Sequence, residues 1–310
     1  MVTGPDEPKR QFSDTRIFIS IASYRDRDLP LTIRSALEAA AEPARLRFGI
    51  CHQFDDASKE DLEPWSEDPR VLVDAVHHSE SHGVCWARSR IQDLYDDEPY
   101  LLQVDAHMRF ADGWDERCIR MLGSVDSERP VLTNYPLGFT RTADGTETLA
   151  PDTGPRRLGL EPDVPLGRLR QRSEPAPGHT RPGRHHFVAA GFLFTVGRFC
   201  RDIPYDPDLY YHGEEITLAL RAYTHGYDFY FPNENVIWHW YDHPNRLHWE
   251  DHDRHFTLDD RARRRVARLI RGNRNLGPHG LGTRRTVRDY EHLAGLRLPG
   301  RRFGDDLWSR

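Results

Sequence analysis

The sequence predicts an α/β fold in which a mostly parallel sheet is covered by helices on both faces. Three observations carry this. Apolar runs of strand length alternate with segments of helical periodicity over the first 110 residues. Those runs are apolar nearly throughout, as strands buried on both faces must be. Polar clusters follow the runs at Ser23–Asp26, Gln53–Asp56 and Asp105–His107. In such sheets ligands bind in the crevice outside the carboxyl ends of the strands.

Taken in order, residues 1–15 read as a flexible polar tail without the apolar core of a signal peptide. RIFISIASY (16–24) is a buried strand that runs into a polar loop. LPLTIRSALEAA (29–40) has helical spacing, with Pro30 where a first turn tolerates it. LRFGICHQF (46–54) and VLVDAVH (71–77) are the next strands, CWARSRIQDLY (85–95) is a helix, and PYLLQVDAHMRF (99–110) is a single fourth strand. Residues 140–185 are rich in Pro, Gly and Arg and read either as a mobile functional loop or as a disordered insert. Order returns with the strand in HHFVAAGFLFTVGRF (185–199) and the helix EEITLALRAYTHG (214–226). YDFYFPNENVIWHWY (227–241) holds one or two strands. An Arg-rich helix, DDRARRRVARLIRG (259–272), and a helical segment over Val287–Leu296 close the chain. The expected division is a main domain over 16–250 and a helical extension over 251–310.

Composition excludes several classes. The chain has 310 residues, 37% of them hydrophobic, enough for one large domain. With 43 basic against 49 acidic residues it carries a formal charge of -6, which opposes coating by nucleic acid. Lys occurs only at 9 and 59, so the basic charge is Arg. No apolar stretch approaches the roughly 20 residues of a membrane helix, and a cytoplasmic location is expected. Cys51, Cys85, Cys118 and Cys200 form no CxxC and read as reduced, buried thiols. Walker, GxGxxG and GxSxG motifs are absent from the sequence, which removes the usual kinase, dinucleotide and serine-hydrolase signatures.

The strongest chemical signal is Asp105-Ala106-His107 at the end of an apolar strand. Residues i and i+2 of an extended segment project to the same side. A carboxylate and an imidazole so placed grip one divalent cation, and hard oxygen with imidazole suits Mn2+, or Mg2+, with diphosphate oxygens completing the sphere. His239 ends the apolar strand NVIW and is the preferred third ligand. His243, His248, His252 and His255 fall in a polar segment and read as solvated. Glu214 and Glu215 follow YYHG and open a helix. They serve either as ordinary first-turn acids or as catalytic or acceptor-binding carboxylates, Glu214 being preferred. Arg25 and Arg88 lie near strand ends and suit phosphate geometry; for Arg88 a solvated helix face is the competing reading. Gly83 precedes a helix whose first amides are placed to face a phosphate.

Set in order, IASYRD, GVCWAR, VDAHMRFADGWD, HGEEITLALRAYTHGYDFYFP and VIWHWY resemble one glycosyltransferase family. It is the family of the cytoplasmic N-acetylglucosaminyltransferase that modifies hydroxyproline on a ubiquitin-ligase adaptor. The tail GLGTRRTVRDYEHLAG is similar to that family's C-terminus, so the likeness runs from Ile17 to Gly295. A more distant likeness is to the polypeptide N-acetylgalactosaminyltransferases, which share an Asp-x-His, a Gly-Glu-Glu/Asn segment and a late metal-binding His. The resemblance implies a GT-A fold, a Mn2+ ion, a UDP-sugar donor (UDP-N-acetylglucosamine) and retention of configuration. By position, Asp105, His107 and His239 match the metal set and Glu214-Glu215 the acidic segment. Ser23 and Arg25 match the nucleotide loop, and Arg88 the Arg of an Ala-Arg pair. Gln53 falls where related enzymes contact the base. The expected partners are a nucleotide-sugar and a hydroxyl acceptor on a peptide, protein or small molecule, with neither nucleic acid nor membrane. Residues 140–185 depart from the family pattern.

Two rival readings use the same residues. A metal-dependent hydrolase of a nucleotide-sugar or phosphoester would deliver water to the same crevice, although two-metal hydrolases cluster more carboxylates and histidines at strand ends. A non-catalytic binding module would bind donor without turnover.

Overall fold

The computed structural model describes residues 14–160, 171–211, 213–243, 248–271 and 276–298. The first fifteen residues and the far end of the expected extension therefore lie largely outside the described residues. In chain order the elements begin β1 (Ile17–Tyr24), α1 (Leu29–Ala39), β2 (Leu46–Phe54), β3 (Val71–His77), α2 (Val84–Gln92), β4 (Tyr100–Asp105), β5 (Met108–Phe110) and α3 (Trp114–Gly123). Then come β6 (Pro130–Thr133), β7 (Leu137–Arg141), β8 (Glu147–Leu149), β9 (Arg156–Leu160), β10 (Gln171–Pro175), β11 (Gly183–His185), β12 (Phe192–Val196) and α4 (Phe199–Asp202). The chain continues through α5 (Glu214–Thr224), β13 (Asp228–Phe231), β14 (Ile237–His239), α6 (His248–Asp251), α7 (His255–Ile270) and α8 (Val287–Ala294).

The main sheet has eight strands in the order β11-β13-β6-β12-β4-β1-β2-β3. Its β3–β2–β1–β4 half is wholly parallel. β12 runs antiparallel to both β4 and β6, so the sheet is mixed at its other half. The central strands are buried along nearly their whole length, as IFISIASY and YLLQVD require, while the edge strand β3 alternates half-buried and exposed positions after Val71. α1 buries Leu29, Thr32, Ile33, Ala36 and Leu37, an i, i+3, i+4, i+7, i+8 stripe. α2 packs on β1 and β2, and α3 on β6 and β12. This is the GT-A arrangement: a large, mostly parallel sheet flanked by helices.

Two sequence expectations are corrected here. The fourth strand is two: β4 stays in the main sheet, while β5 leaves for a second sheet of order β5-β14-β7-β8. Thr32 marks the break, donating its hydroxyl to Ala106 O (2.7 Å) and accepting from Met108 N (2.8 Å) in place of ladder partners. Residues 140–185 are not one irregular loop. They contribute to β7, form β8, and build a two-stranded ribbon of β9 and β10 paired Leu160 to Gln171, followed by β11 on the main sheet; 161–170 lie outside the described residues. A stretch rich in Pro and Gly hides short strands because its apolar alternation is weak. From the C-terminal helices, Val266, Leu269, Ile270, Val287 and Tyr290 join the same core as β1 and β4. All four cysteines are buried and free, as expected. Among the described residues no helix is long and apolar enough to cross a membrane.

Candidate metal centre and acidic cleft

Asp105 ends β4 and His107 stands two residues on, in the gap between the two sheets. His239 ends β14, which pairs antiparallel with β5 so that His239 sits opposite Met108, beside His107. Local sequence alone places Asp105 and His107; only this pairing brings in the third residue. The Nε2 atoms of His107 and His239 lie 3.0 Å apart, and His239 Nε2 is 3.3 Å from Asp105 Oδ2. The imidazole side chains are each 12% exposed and Asp105 31%.

This donor set fits a divalent cation. Two ligand atoms at right angles on bonds of about 2.1 Å stand about 3 Å apart. His107 Nδ1 donates to Asp26 Oδ2 at 2.6 Å, which fixes the proton on Nδ1 and leaves the Nε2 lone pair facing Asp105 and His239. Asp26 is itself held, accepting from the Asp28 amide at 2.9 Å. Burial opposes charge on His107, but the hydrogen bond and charge of Asp26 outweigh it and raise the ring above the usual imidazole range. Burial also works against the Asp105 anion, and His239 and Arg88 overcome it, holding that carboxyl well below the usual carboxylate range.

A second group, Asp26, His107 and His243, shares His107. His107 Nδ1 cannot donate to Asp26 and also ligate, so one ion excludes the other, and the Asp105 group leaves Asp26 its supporting role. The His243 ring nevertheless lies 3.8 Å from that of His107, and burial brings its pKa down to about 4. His243 is thus not the solvated histidine that its polar surroundings suggest.

Arg88 links the metal side to the acidic helix. It is 1% exposed, in place of the solvated face considered from sequence. Its Nη2 donates to Asp105 Oδ1 (3.0 Å) and to Ala190 O (3.2 Å), and its Nε stands 3.0 Å from Glu214 Oε1. The last is an ion pair without hydrogen-bond alignment, and Arg88 Nη1 has no partner among the described residues. A sequence signal existed: Cys85, Arg88 and Ile91 share one buried stripe of α2 at spacing three.

Glu214 and Glu215 open α5 after Gly213, whose φ of 91° places it in the left-handed region. Val266 of α7 fills the space where a Cβ on Gly213 would go, 2.4 Å away, so the C-terminal helix seats the acidic turn. Burial raises Glu214 above the usual range, with Arg88 opposing. Glu215 accepts from Tyr135 Oη (2.8 Å) and Gln171 Nε2 (2.7 Å) on Oε2, and from the Ala190 amide (3.1 Å) on Oε1. Burial pushes it up to about 7 against those donors. Tyr135 and Gln171 were not singled out from the sequence; both come from the irregular middle of the chain, where nothing marks them.

The nucleotide-side residues fall differently. Ala22 pairs with Asp105 across β1 and β4, so Ser23 and Arg25 lie just beyond the metal side. Ser23 is fully buried, and its Oγ has no partner among the described residues. Gln53 is 2% exposed and fully engaged, donating to Ser23 O (3.0 Å) and accepting from Ser81 Oγ, so it ties loops together. Arg25 adopts φ 51° and pairs with Asp55 (2.8 Å) and Asp251 (2.6 Å). Tyr24 Oη donates to Asp251 Oδ2 at 2.9 Å. His248 binds the hydroxyls of Tyr210 and Ser81, both at 2.7 Å, and stacks on His252 with ring centres 4.0 Å apart. The segment 248–252 therefore packs against the ends of β1 and β2, which corrects the solvated reading of His248 and His252. His255 Nδ1 bonds back to His252 O at 2.8 Å. The amide of Gly83 is taken by Ser81 Oγ (3.2 Å), and Tyr210 O lies 2.6 Å from where a Gly83 Cβ would point.

The description glycosyltransferase (GlcNAc) is that of a protein family whose model matches residues 16–68 and 59–298 of the chain. No curated protein sequence matches it. Among solved structures, GalNAc-T7 with UDP, GalNAc and Mn2+ superposes with a TM-score of 0.59 at 16% identity, over 91% of this chain and 55% of that one. The chain thus spans about half the length of that relative. Staphylococcus aureus TarS 1–349 in complex with UDP-GlcNAc superposes with a TM-score of 0.55 at 9% identity, over 90% of this chain and 70% of that one. At these identities the likeness is one of fold.

Proposed function

The chain belongs to the glycosyltransferase (GlcNAc) family, and from that premise we propose that it is a metal-dependent transferase moving N-acetylglucosamine from UDP-N-acetylglucosamine to an acceptor hydroxyl. The observation that carries this is the linked array Asp105–His107–His239 with Arg88 joining Asp105 to Glu214. The array sits at the carboxyl ends of the parallel strands, where the fold places its ligands. GalNAc-T7 in its UDP and Mn2+ complex and TarS in its UDP-GlcNAc complex share the fold, which supports the choice of donor and ion.

In this reading Asp105, His107 and His239 hold Mn2+, or Mg2+. The ion, when bound, supplies Lewis-acid stabilisation of the charge left on the diphosphate. Asp26 keeps the His107 proton on Nδ1 so that Nε2 stays available. Arg88 brings fixed positive charge to the site and keeps Asp105 ionised. Ser23 and Arg25 border the nucleotide side, Arg25 through an ion-pair network rather than as a free cation. Gln53 supports that loop. Glu214, locked to Arg88, shapes the cleft, whereas Glu215 is the better placed of the two to orient an acceptor. It is partly exposed, and its pKa of about 7 matches proton handling near neutrality. Retention follows if the acceptor oxygen bonds to the anomeric carbon on the face from which the diphosphate oxygen leaves, with the hydroxyl proton passing to that oxygen. Acceptors are peptide or protein hydroxyls or small molecules.

Calorimetry of UDP-N-acetylglucosamine with and without Mn2+, on the wild type and Asp105→Ala, tests the reading. Metal-dependent binding that Asp105→Ala abolishes is expected. Binding that ignores the metal, or donor hydrolysis that no acceptor accelerates, would sink it, the latter in favour of a hydrolase.

A further inference from the structure

Gln171 is the first residue of β10, in the ribbon that the Pro/Gly/Arg-rich stretch forms outside the main sheet. Its amide nitrogen spans the gap to the site, donating to Glu215 Oε2 at 2.7 Å and to Val188 O at 3.1 Å. Its Oε1 is buried without a partner among the described residues. The same ribbon reaches Glu215 by a second route. Leu158 of β9 packs with Phe187 and Ala189 in a small core of its own, and Tyr135 packs against that core. Tyr135 Oη then donates to the same Glu215 oxygen at 2.8 Å. One carboxylate oxygen is thus held by two donors, one on the ribbon and one resting on the ribbon's core.

We propose that Gln171 is a positioning residue for the acceptor-side carboxylate: it fixes the orientation of Glu215 and sets its ionisation, so that the ribbon's seating governs the reaction. This rests on the reading of Glu215 as the residue that orients the acceptor. A donor to an ionised carboxylate stabilises the anion, so Gln171 and Tyr135 both oppose the effect of burial. Charged and titratable groups face Glu215 from every neighbouring element. Glu214 shares its helix and raises it. Arg88 on α2 neutralises Glu214. Asp105 ends β4, Tyr135 lies between β6 and β7, Tyr211 precedes α5 and Tyr241 follows β14. The ribbon contributes a neutral side-chain amide donor, a group whose removal changes hydrogen bonding without changing net charge.

The test reads the ionisation of Glu215 without needing catalysis. Thermal midpoints are measured from pH 4 to 9 for the wild type and Glu215→Gln, and the difference between the two curves reports the titration of Glu215. The same pair is then built on Gln171→Leu and on Gln171→Glu. Loss of the donor moves the midpoint of the difference curve to higher pH by about half a unit or more, and the added carboxylate moves it further. Acceptor KM rises several-fold, the pH limb of kcat moves in the same sense, and the donor Kd stays within about twofold. Coincident difference curves in folded Gln171→Leu or Gln171→Glu protein would overturn the proposal. If the curves move while no acceptor is ever glycosylated, the coupling stands and the transferase reading fails instead.

Discussion

Gly191 leaves the space that the Asp105 carboxylate fills: a Cβ on Gly191 would lie 2.5 Å from Asp105 Oδ2. Backbone conformation does not demand glycine here; the carboxylate does. Gly191→Ala must displace that oxygen, so it is expected to weaken Mn2+ affinity at least tenfold. Global stability should fall by no more than about 1–3 kcal/mol, the usual range for overpacking. Calorimetric titration with Mn2+ beside urea unfolding separates the two effects. An unchanged metal affinity would show that Asp105 Oδ2 is not a ligand.

Asp26 contacts His107 from the side away from the candidate ion. Asp26→Asn cannot accept as an anion and frees the ring to change tautomer. The expected result is a loss of about 10–100-fold in Mn2+ affinity, the range typical of such supporting carboxylates. The donor's affinity falls in proportion only where it binds through the ion, which a titration at saturating Mn2+ distinguishes.

Arg88 is buried between Asp105 and Glu214. Arg88→Met leaves two carboxylates near each other without their cation. Urea unfolding is expected to show a loss of about 3–5 kcal/mol. Adding Glu214→Gln removes one uncompensated charge and should restore part of that loss. A double variant no more stable than Arg88→Met would mean that the ion pair contributes through packing alone.

His185 on β11 is buried beneath the ribbon, and burial brings its pKa down to about 3. The folded chain therefore keeps this ring neutral at pH values where the unfolded chain, with an ordinary imidazole near 6.5, takes up a proton. The sign follows: between about 6.5 and 3 the unfolded state binds more protons, so stability falls as pH falls through that window. His185→Phe should flatten the acid limb of a plot of thermal midpoint against pH, by the equivalent of roughly 2–4 kcal/mol at its foot. An acid limb identical to the wild type's would place the acid lability elsewhere.

The parallel half of the sheet was legible because its strands are apolar throughout and its helices keep one buried stripe; neither pattern needs a partner to be read. Asp105 and His107 were legible because an i, i+2 pair closes a strand. A strand-end position marks His239 among the five histidines from 239 to 255, whereas the polar neighbourhood of His243 conceals a ring packed on that of His107. The hairpins within 140–185 escaped notice, since Pro and Gly dilute the alternation that marks a strand.

The sequence by itself determined the order of elements, the buried strands and the residue types offered to an ion or a phosphate, because these follow from local periodicity and side-chain chemistry. Tertiary structure alone decided which of those groups meet. It set His239 beside His107 through antiparallel pairing of β14 and β5. It buried Arg88 between Asp105 and Glu214, two carboxylates far from each other in the chain. It also placed the amide of Gln171 on Glu215. Such contacts depend on distances between elements far apart in sequence, and a linear pattern carries no information about distance across a sheet.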